Sequence, residues 1–393
     1  MIDFTDPAFI SDPYPAYAEM RRTGPVRRVT LPSGLKVWLV TRYEDGRRAL
    51  ADPRLSKSVL AMGSGAASAG QSGITAAISR HMLAVDPPDH TRLRRLVSAA
   101  FTVRRIEALR PRIEEIATGL LDAIDGRPEA DLIDTFAFPL PIQVICELLG
   151  VPAADRDDFR EWSTVIVTGA MAGDRLAPAF QDMIAYIGKL LADRRAHGGD
   201  DLLAGLIQVR DAEDRLTEQE LSSMVFLLLI AGHETTVNLI GNGTYLLLRD
   251  RERWARLRGD RGLLPTAIEE FLRYEGPVET STFRVATETL EIGGETVEAG
   301  EPVMIALLSA NRDGDRFPGG DDLQLDRAHN PHLAFGHGIH YCLGAPLARL
   351  EAQIAFTALM DRFPDLRLAV APEDLRWRPG ILLRGLWELP VRL

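Results

Sequence analysis

The chain has 393 residues, 46% of them hydrophobic and 26% charged. That is the composition of an ordinary globular protein with apolar material for a large core. Its 45 basic and 56 acidic residues leave a net charge of −11, which argues against nucleic acid as the main partner, and the widely separated Cys146 and Cys342 make no disulfide framework and fit a reducing cytoplasm.

The opening residues, Met1-Ile2-Asp3-Phe4-Thr5-Asp6, lack the basic start and apolar segment of a secretion signal. Pro15–Arg22 reads as a short helix with proline in its first turn, and Lys36–Val40 as a strand. The Gly/Ala/Ser-rich stretch 62–77 predicts a mobile loop. Helical patterns follow over Asp89–Phe101, Ile113–Ile124, Pro141–Leu149 and Ala179–His197. The clearest helix opens on a capping box, Thr217-Glu218-Gln219-Glu220, and its apolar pattern runs to Leu248. That is far longer than the average helix of about 11–12 residues; such a helix crosses a whole domain. Its longest unbroken apolar run, Met224–Ala231, falls short of the roughly 18 residues of a membrane span, so a soluble, cytoplasmic protein is expected. Strand signals gather at Thr282–Ala286, Leu290–Ile292, Thr296–Val297 and Val303–Ala306. A last helix covers Ala345–Phe363, and strand-like sequence closes the chain. With no internal repeat or linker, the reading is a single domain over 1–393, mainly α with minor β.

The segment Phe335-Gly336-His337-Gly338-Ile339-His340-Tyr341-Cys342-Leu343-Gly344 sets one cysteine among glycines, just ahead of a helix with Pro346 near its first turn. A cysteine there feels the positive end of the helix dipole and free N–H groups, which favour the metal-binding thiolate. The glycines let the backbone pass close to something large and flat and permit φ > 0. These residues alone leave several readings open: an inert buried cysteine in a turn, a zinc site built from His337, His340 and Cys342, or a thiolate holding another metal group. Cys146, within Val144-Ile145-Cys146-Glu147-Leu148, reads as a small core residue.

Phe335, Gly338, Cys342 and Gly344 form the pattern Phe-x-x-Gly-x-x-x-Cys-x-Gly, which resembles the haem-binding loop of the cytochrome P-450 superfamily. The resemblance extends from Asp12-Pro13-Tyr14 to the final strands and is nearest to soluble actinobacterial members that tailor macrolides and other natural products. It implies a long central helix over haem b, with Phe335, Gly338 and Gly344 in the cofactor loop and Cys342 as the iron's axial ligand. A thiolate pushes electron density onto iron and favours O–O cleavage. It also implies propionate-binding roles for His90 and Arg94, four apart on one helical face after Asp86-Pro87-Pro88, for Arg284 in Thr282-Phe283-Arg284-Val285, and for His340. Glu270 and Arg273, by themselves an i,i+3 surface pair worth a few tenths of a kcal/mol, match a buried structural pair of the family, with Arg327 as its third member.

Ala231-Gly232-His233-Glu234-Thr235-Thr236 interrupts the apolar stripe of the long helix. Helix interiors avoid such a cluster: Gly costs roughly 1 kcal/mol, and Thr bonds back to a carbonyl one turn earlier. Rule-breaking at mid-helix marks functional sites. Splitting O2 on iron consumes two protons, which a hydroxyl and a nearby carboxylate can deliver. By the resemblance Thr235 and Glu234 are that catalytic alcohol–acid pair, and His233 takes no catalytic role. The presence of both favours an electron partner over a peroxide-driven reaction.

Family analogy places the substrate pocket at 62–85, 163–182, Ala231, Val278–Phe283 and Ile381-Leu382, mostly apolar or small residues suited to a sizeable hydrophobic substrate. Glu279 is the polar exception, a solvated loop carboxylate or a contact to a basic or hydroxyl group. Electrons are expected from a ferredoxin and its ferredoxin reductase, with Arg92, Arg95, Arg104 and Arg105 as a basic docking face. The rival readings are a haem-binding sensor or carrier without turnover, which has no use for Glu234 and Thr235, and a peroxide-driven peroxygenase.

Overall fold

The long helix forms as its cap predicts. The computed structural model describes residues 2–58, 79–98, 101–199, 202–208 and 216–393, and the loop expected at 62–77 lies outside them. Glu218–Leu248 is one unbroken helix of 31 residues. Thr217 Oγ1 accepts the Glu220 N–H at 3.2 Å, and the Glu220 carboxylate accepts the Thr217 N–H at 2.8 Å. By length and composition the helix could cross a membrane, yet 72% of its most apolar window is buried inside the protein. Its apolarity is that of a helix packed on all sides. Pro139–Leu148, Leu176–His197 and Ala345–Arg362 lie against it, and Arg110–Asp122 packs behind the first and last of these. Their side chains, with Phe136, Phe159, Phe271 and Phe356, form the main core.

Element boundaries fall within about a turn of the sequence reading: Tyr14–Thr23, Pro139–Leu148, Leu176–His197 and Ala345–Arg362. Asp89–Ser98 is helical as expected, but Phe101 at the expected end is not; its N–H meets the Ser98 carbonyl at 3.2 Å. Arg156–Thr168 was not expected to be helical. It ends in Ser163-Thr164-Val165-Ile166-Val167-Thr168, a run of β-branched and small polar residues with low helix propensity. Packing against Leu176–His197 overrides that preference.

The larger sheet has five strands in the order Val26–Thr30, Lys36–Val40, Pro302–Ile305, Arg284–Ala286, Leu55–Ser56. Its one parallel pairing sets Trp38 against Val303. Between this sheet and the helix Tyr43–Ala51 lies a smaller core containing Tyr43, Leu50, Ile305 and Phe317. The sheet matters to the site because it holds Arg284 opposite Val303 on an inner strand. Of the strand-like end, Pro390–Arg392 pairs with Glu129–Asp131 and Arg367–Leu368.

The segment leading to the cysteine has little regular structure, so its backbone is held by side chains. Glu270 and Arg273 are fully buried and joined by two bonds of 2.7 Å. Arg273 also donates to the carbonyls of Asn311, Gly320 and Asp322. Arg327 reaches Glu270 at 3.1 Å, and the Gln324 N–H and Asn330 side chain bond the same carboxylate. Next to them, Glu269 takes Arg349 at 2.6 Å and His332 at 3.0 Å. Removing one partner from such a buried cluster leaves uncompensated charge, at a cost of about 3–5 kcal/mol. Glu270→Ala is therefore expected to lower the unfolding free energy by about that amount in urea titrations; a loss of about 0.5 kcal/mol, typical of a surface pair, would contradict the burial argument.

Candidate active site

The cysteine loop is a chain of tight turns. Gly336 N–H bonds Leu333 O at 2.8 Å, Tyr341 N–H bonds Gly338 O at 3.1 Å, and Cys342 N–H bonds Phe335 O at 2.9 Å. Gly336 and Gly338 have φ of +73° and +74°, a region costly for other residues. A Cβ on Gly338 would also come within 3.1 Å of the Leu50 carbonyl. Phe335 sits under the Arg349 guanidinium, 4.5 Å from its ring centre, and Gly344 closes the loop beside the sulfur.

Cys342 opens onto a cavity shared with Leu228, Ala231, Gly232, Thr235 and Thr236 of the long helix. Burial pushes its thiol up, while the N–H groups of Gly344 and Ala345 at the helix start pull it down, and burial wins. The helix start thus acts in the expected direction but does not by itself secure the thiolate. A bound metal does, because a coordinating thiol is deprotonated outright.

Cations gather at one edge of this cavity. Arg94 and Arg284 both line it, Arg94 donating to the Tyr341 carbonyl at 2.8 Å and Arg284 reaching, among the described residues, only the Leu50 carbonyl, at 3.5 Å. His90 is buried and neither ring nitrogen makes a well-formed hydrogen bond; its ring lies edge-on to that of His340, with centroids 4.4 Å apart. Lys57, which carries no sequence signal, is buried here with its Nζ on the carbonyls of Thr282 and Phe283 and the Thr282 hydroxyl. Asp86 is the carboxylate that faces this cluster; it accepts the Lys57 N–H at 2.9 Å and the Ser56 hydroxyl. Lys57, His90, Arg284 and His340 are each driven toward the neutral form, chiefly by burial. Burial, then Arg284, brings Lys57 down to about 7. Burial, then His90, Lys57 and Arg284, brings His340 down to about 3. Burial brings Arg284 down to about 10. A cluster so poor in negative charge fits a ligand that carries anions of its own, and the two propionates of haem meet that need.

The zinc alternative does not survive the geometry. His337 Nε2 lies 3.4 Å from Arg47, His340 faces His90, and among the described residues no group of three His, Cys, Asp or Glu side chains converges.

On the long helix the alcohol and the acid point to different surroundings. Thr235 Oγ1 donates to the Ala231 carbonyl at 3.1 Å and lines the cavity. Glu234 is 1% exposed; one oxygen takes an Arg378 N–H at 3.0 Å, and the other has no partner. His233 is buried between Phe138 and Phe159, with Nδ1 2.8 Å from the Leu229 carbonyl and Nε2 3.1 Å from Ser163 Oγ. Arg378 was invisible to sequence reasoning because 144 residues separate it from its partner. Asn238, one turn beyond Glu234, was missed as well. It is buried with neither amide atom partnered, and with Arg378 it lines a second chamber of about 420 Å³.

Of the expected pocket residues, Ala231, Val278, Ser281, Thr282 and Leu382 line the main cavity. Ile381 and 166–169 line the second chamber, which shares Ser281, Thr282 and Leu382 with the first. Two expectations need correction. Glu279 is neither solvated nor in the cavity wall: it is 4% exposed and accepts the Tyr17 hydroxyl at 2.7 Å. Arg92 is no free docking cation, since it is half-buried in an ion pair with Glu220. Arg95, Arg104 and Arg105 are exposed.

A thiol presented to a cavity beneath a long helix, beside buried bases in search of anions, is the site of a haem-thiolate protein. The chain belongs to the cytochrome P450 family, whose model matches residues 172–374. It is 45% identical to the mycinamicin IV hydroxylase/epoxidase of Micromonospora griseorubida, over 95% of this chain and 94% of that one. It is 42% identical to the polyketide biosynthesis cytochrome P450 PksS of Bacillus subtilis, over 98% and 96%. The solved structure of the tirandamycin C-bound P450 monooxygenase TamI superimposes with a TM-score of 0.93 at 52% identity, covering 99% of both chains. The protein is accordingly a cytochrome P450 monooxygenase with haem b as cofactor.

Glu279 generates a pH prediction. Burial raises its carboxyl from 4.5 to about 7. The folded state holds this proton more tightly than the unfolded state, so stability is lost as pH rises from about 4.5 toward 7. Glu279→Gln removes the ionisable group. Its unfolding temperature relative to wild type should climb across that window and then level off; a constant difference would contradict the assignment.

Proposed function

We propose that this P450 hydroxylates or epoxidises a large, mostly apolar, polyketide-like natural product, with electrons from a separate ferredoxin and its reductase. The observation that carries this reading is the cavity wall itself. Leu227, Leu228, Ala231, Val278 and Leu382 offer an apolar surface around the adjacent helix threonines Thr235 and Thr236, and the second chamber extends the space beyond it. The names of the relatives point the same way: one acts on mycinamicin IV, one serves polyketide biosynthesis, and one holds tirandamycin C. A single catalytic domain in the cytoplasm suits this role.

Haem supplies the oxidant when bound; the chain supplies orientation, protons and exclusion of water. Apolar walls orient the substrate and keep bulk water from the reacting atoms. Thr235 stands at the cavity with a hydroxyl already donating to its own helix, ready to turn that donor toward oxygen. Glu234 holds a carboxylate oxygen without a partner, next to Arg378 and the Asn238 amide. Buried groups of this kind are normally satisfied by water, and ordered water there would carry protons from the second chamber to Glu234.

Titrating polyketide-like compounds into the protein tests the substrate class: a productive ligand displaces water from iron and shifts the absorption spectrum. Thr235→Ala should keep consuming reductant while product falls and hydrogen peroxide rises. Glu234→Gln should slow reductant consumption itself, by about 10²-fold. Unchanged product yield and reductant use in both variants would remove the alcohol–acid pair from the proton path, whereas a sensor or carrier would form no product in any of them. Arg104→Glu with Arg105→Glu should weaken ferredoxin-supported turnover and flatten its dependence on salt; unchanged turnover and salt dependence would remove the docking face.

A further inference from the structure

Among the described residues, the buried glutamates all have a polar side-chain partner, with one exception. Glu220 is paired with Arg92, Glu234 with Arg378, Glu270 with Arg273 and Glu275 with Arg384, while Glu279 takes the Tyr17 hydroxyl. Glu351 is buried to 1% exposure, no cation among the described residues pairs with it, and its Oε2 has no hydrogen-bond partner. It stands on the helix Ala345–Arg362 behind Cys342 and lines the same cavity as Thr235, Thr236 and Cys342. Its neighbours Leu350, Ala352, Ile354 and Ala355 are core residues. A leucine would pack in their company without the cost of burying an unpaired polar group, so packing does not explain an acid here.

We propose that Glu351 is the proton partner of the haem iron: it rests protonated in the oxidised protein and, when it is ionised, takes up one proton as the iron takes up one electron.

The balance is simple. One electron reduces ferric to ferrous iron and adds one negative charge to the buried centre. Electrostatics then favour a neutral carboxyl over a carboxylate on the cavity wall. A carboxylate, a proton from water and an electron become a carboxylic acid and ferrous iron, with no other bond made or broken. The environment supports the resting state. Burial alone raises the Glu351 carboxyl to about 8. The helices packed against its own are Arg110–Asp122, Glu218–Leu248, Leu264–Tyr274 and Val103–Ala108, and no charge on them contributes to that shift. The titratable groups lining the cavity with it are Arg94, Arg284, His337, His340, Tyr341 and Cys342. Glu351 is thereby distinct from Glu234, which is tied to Arg378 and does not line this cavity.

The test is a potentiometric titration of the substrate-free holoenzyme across pH. The wild-type reduction potential should be nearly constant below pH about 8 and fall above it, with a slope approaching one proton per electron. Glu351→Gln keeps the shape and neutrality of the resting side chain; it should bind haem and give the wild-type reduced, carbon-monoxide-bound spectrum, yet its potential should not bend there. Glu351→Asp should restore the bend. Infrared spectroscopy of the wild type needs no variant: a protonated-carboxyl band should be present at neutral pH and disappear in the same alkaline range. A wild-type potential that stays flat, a bend that persists in Glu351→Gln, or the absence of a titrating carboxyl band would each overturn the proposal. Haem content and the carbon-monoxide spectrum report separately on whether the cofactor is in place.

Discussion

The structure depends on a buried carboxylate that organises a stretch of chain with almost no regular structure. Residues 311–335 run from the five-stranded sheet to the cysteine loop mostly as turns. Their backbone carbonyls cannot satisfy one another as those of a helix do. Arg273 takes up three of them, and Glu270 binds Arg273, Arg327, Asn330 and the Gln324 N–H together. A pair of this kind is no bargain in stability compared with a well-packed apolar pair. Its value is positional: fixing the path of 311–335 fixes where Phe335 begins the loop, and Glu269 with Arg349 and His332 repeats the device at the loop's own base. The sulfur is thus placed in part by charges remote from it in sequence, on the helix that carries Glu269, Glu270 and Arg273.

The site then runs opposite to the scaffold in its treatment of charge. Around Glu270 and Glu275, acids and bases are matched atom by atom. Around the cavity edge, Lys57, Arg284, Arg94, His90 and His340 face little more than Asp86. Ligand anions complete the first kind of network with the second. Cofactor binding is therefore expected to contribute to the fold as well as to the chemistry, because any group that binds only the native state stabilises it.

Sequence reasoning did best where the signal is local. The capping box of the long helix, the strand at Lys36–Val40 and the turns around Cys342 are all set by residues within a few positions of one another, and the structure follows them. The Glu270–Arg273–Arg327 group was found because two of its members stand three apart on a helix and the family pattern supplied the third. What escaped were partners joined only by the fold. Nothing near Arg378 in the sequence says that it meets Glu234, and nothing near Glu279 says that Tyr17 buries it. The misreadings of Glu279 and Arg92 have one cause: a charged residue in a polar-looking segment reads as solvated until a distant chain segment is laid over it. The helix Arg156–Thr168 was missed for a related reason, since tertiary packing outweighs the weak propensity of its last turns.

The distribution of unsatisfied atoms separates structural from functional polarity. Asn242, Asn311 and Asn330 each leave one side-chain atom unpartnered but use the other to hold a backbone or a carboxylate. His90, at the cation cluster, makes no well-formed hydrogen bond with either nitrogen, and Asn238, beside the second chamber, leaves both amide atoms unpartnered; Glu234 and Glu351 each leave one oxygen so. Four such residues gather about two connected cavities, a local concentration of exceptions to the usual pairing of buried polar groups, with Thr244 Oγ1 a further one farther along the long helix. Selection for stability alone would have paired them or replaced them with apolar side chains. Unpartnered polar atoms at the cation cluster and beside the second chamber suit the roles proposed for this interior, and this argument does not use the cysteine.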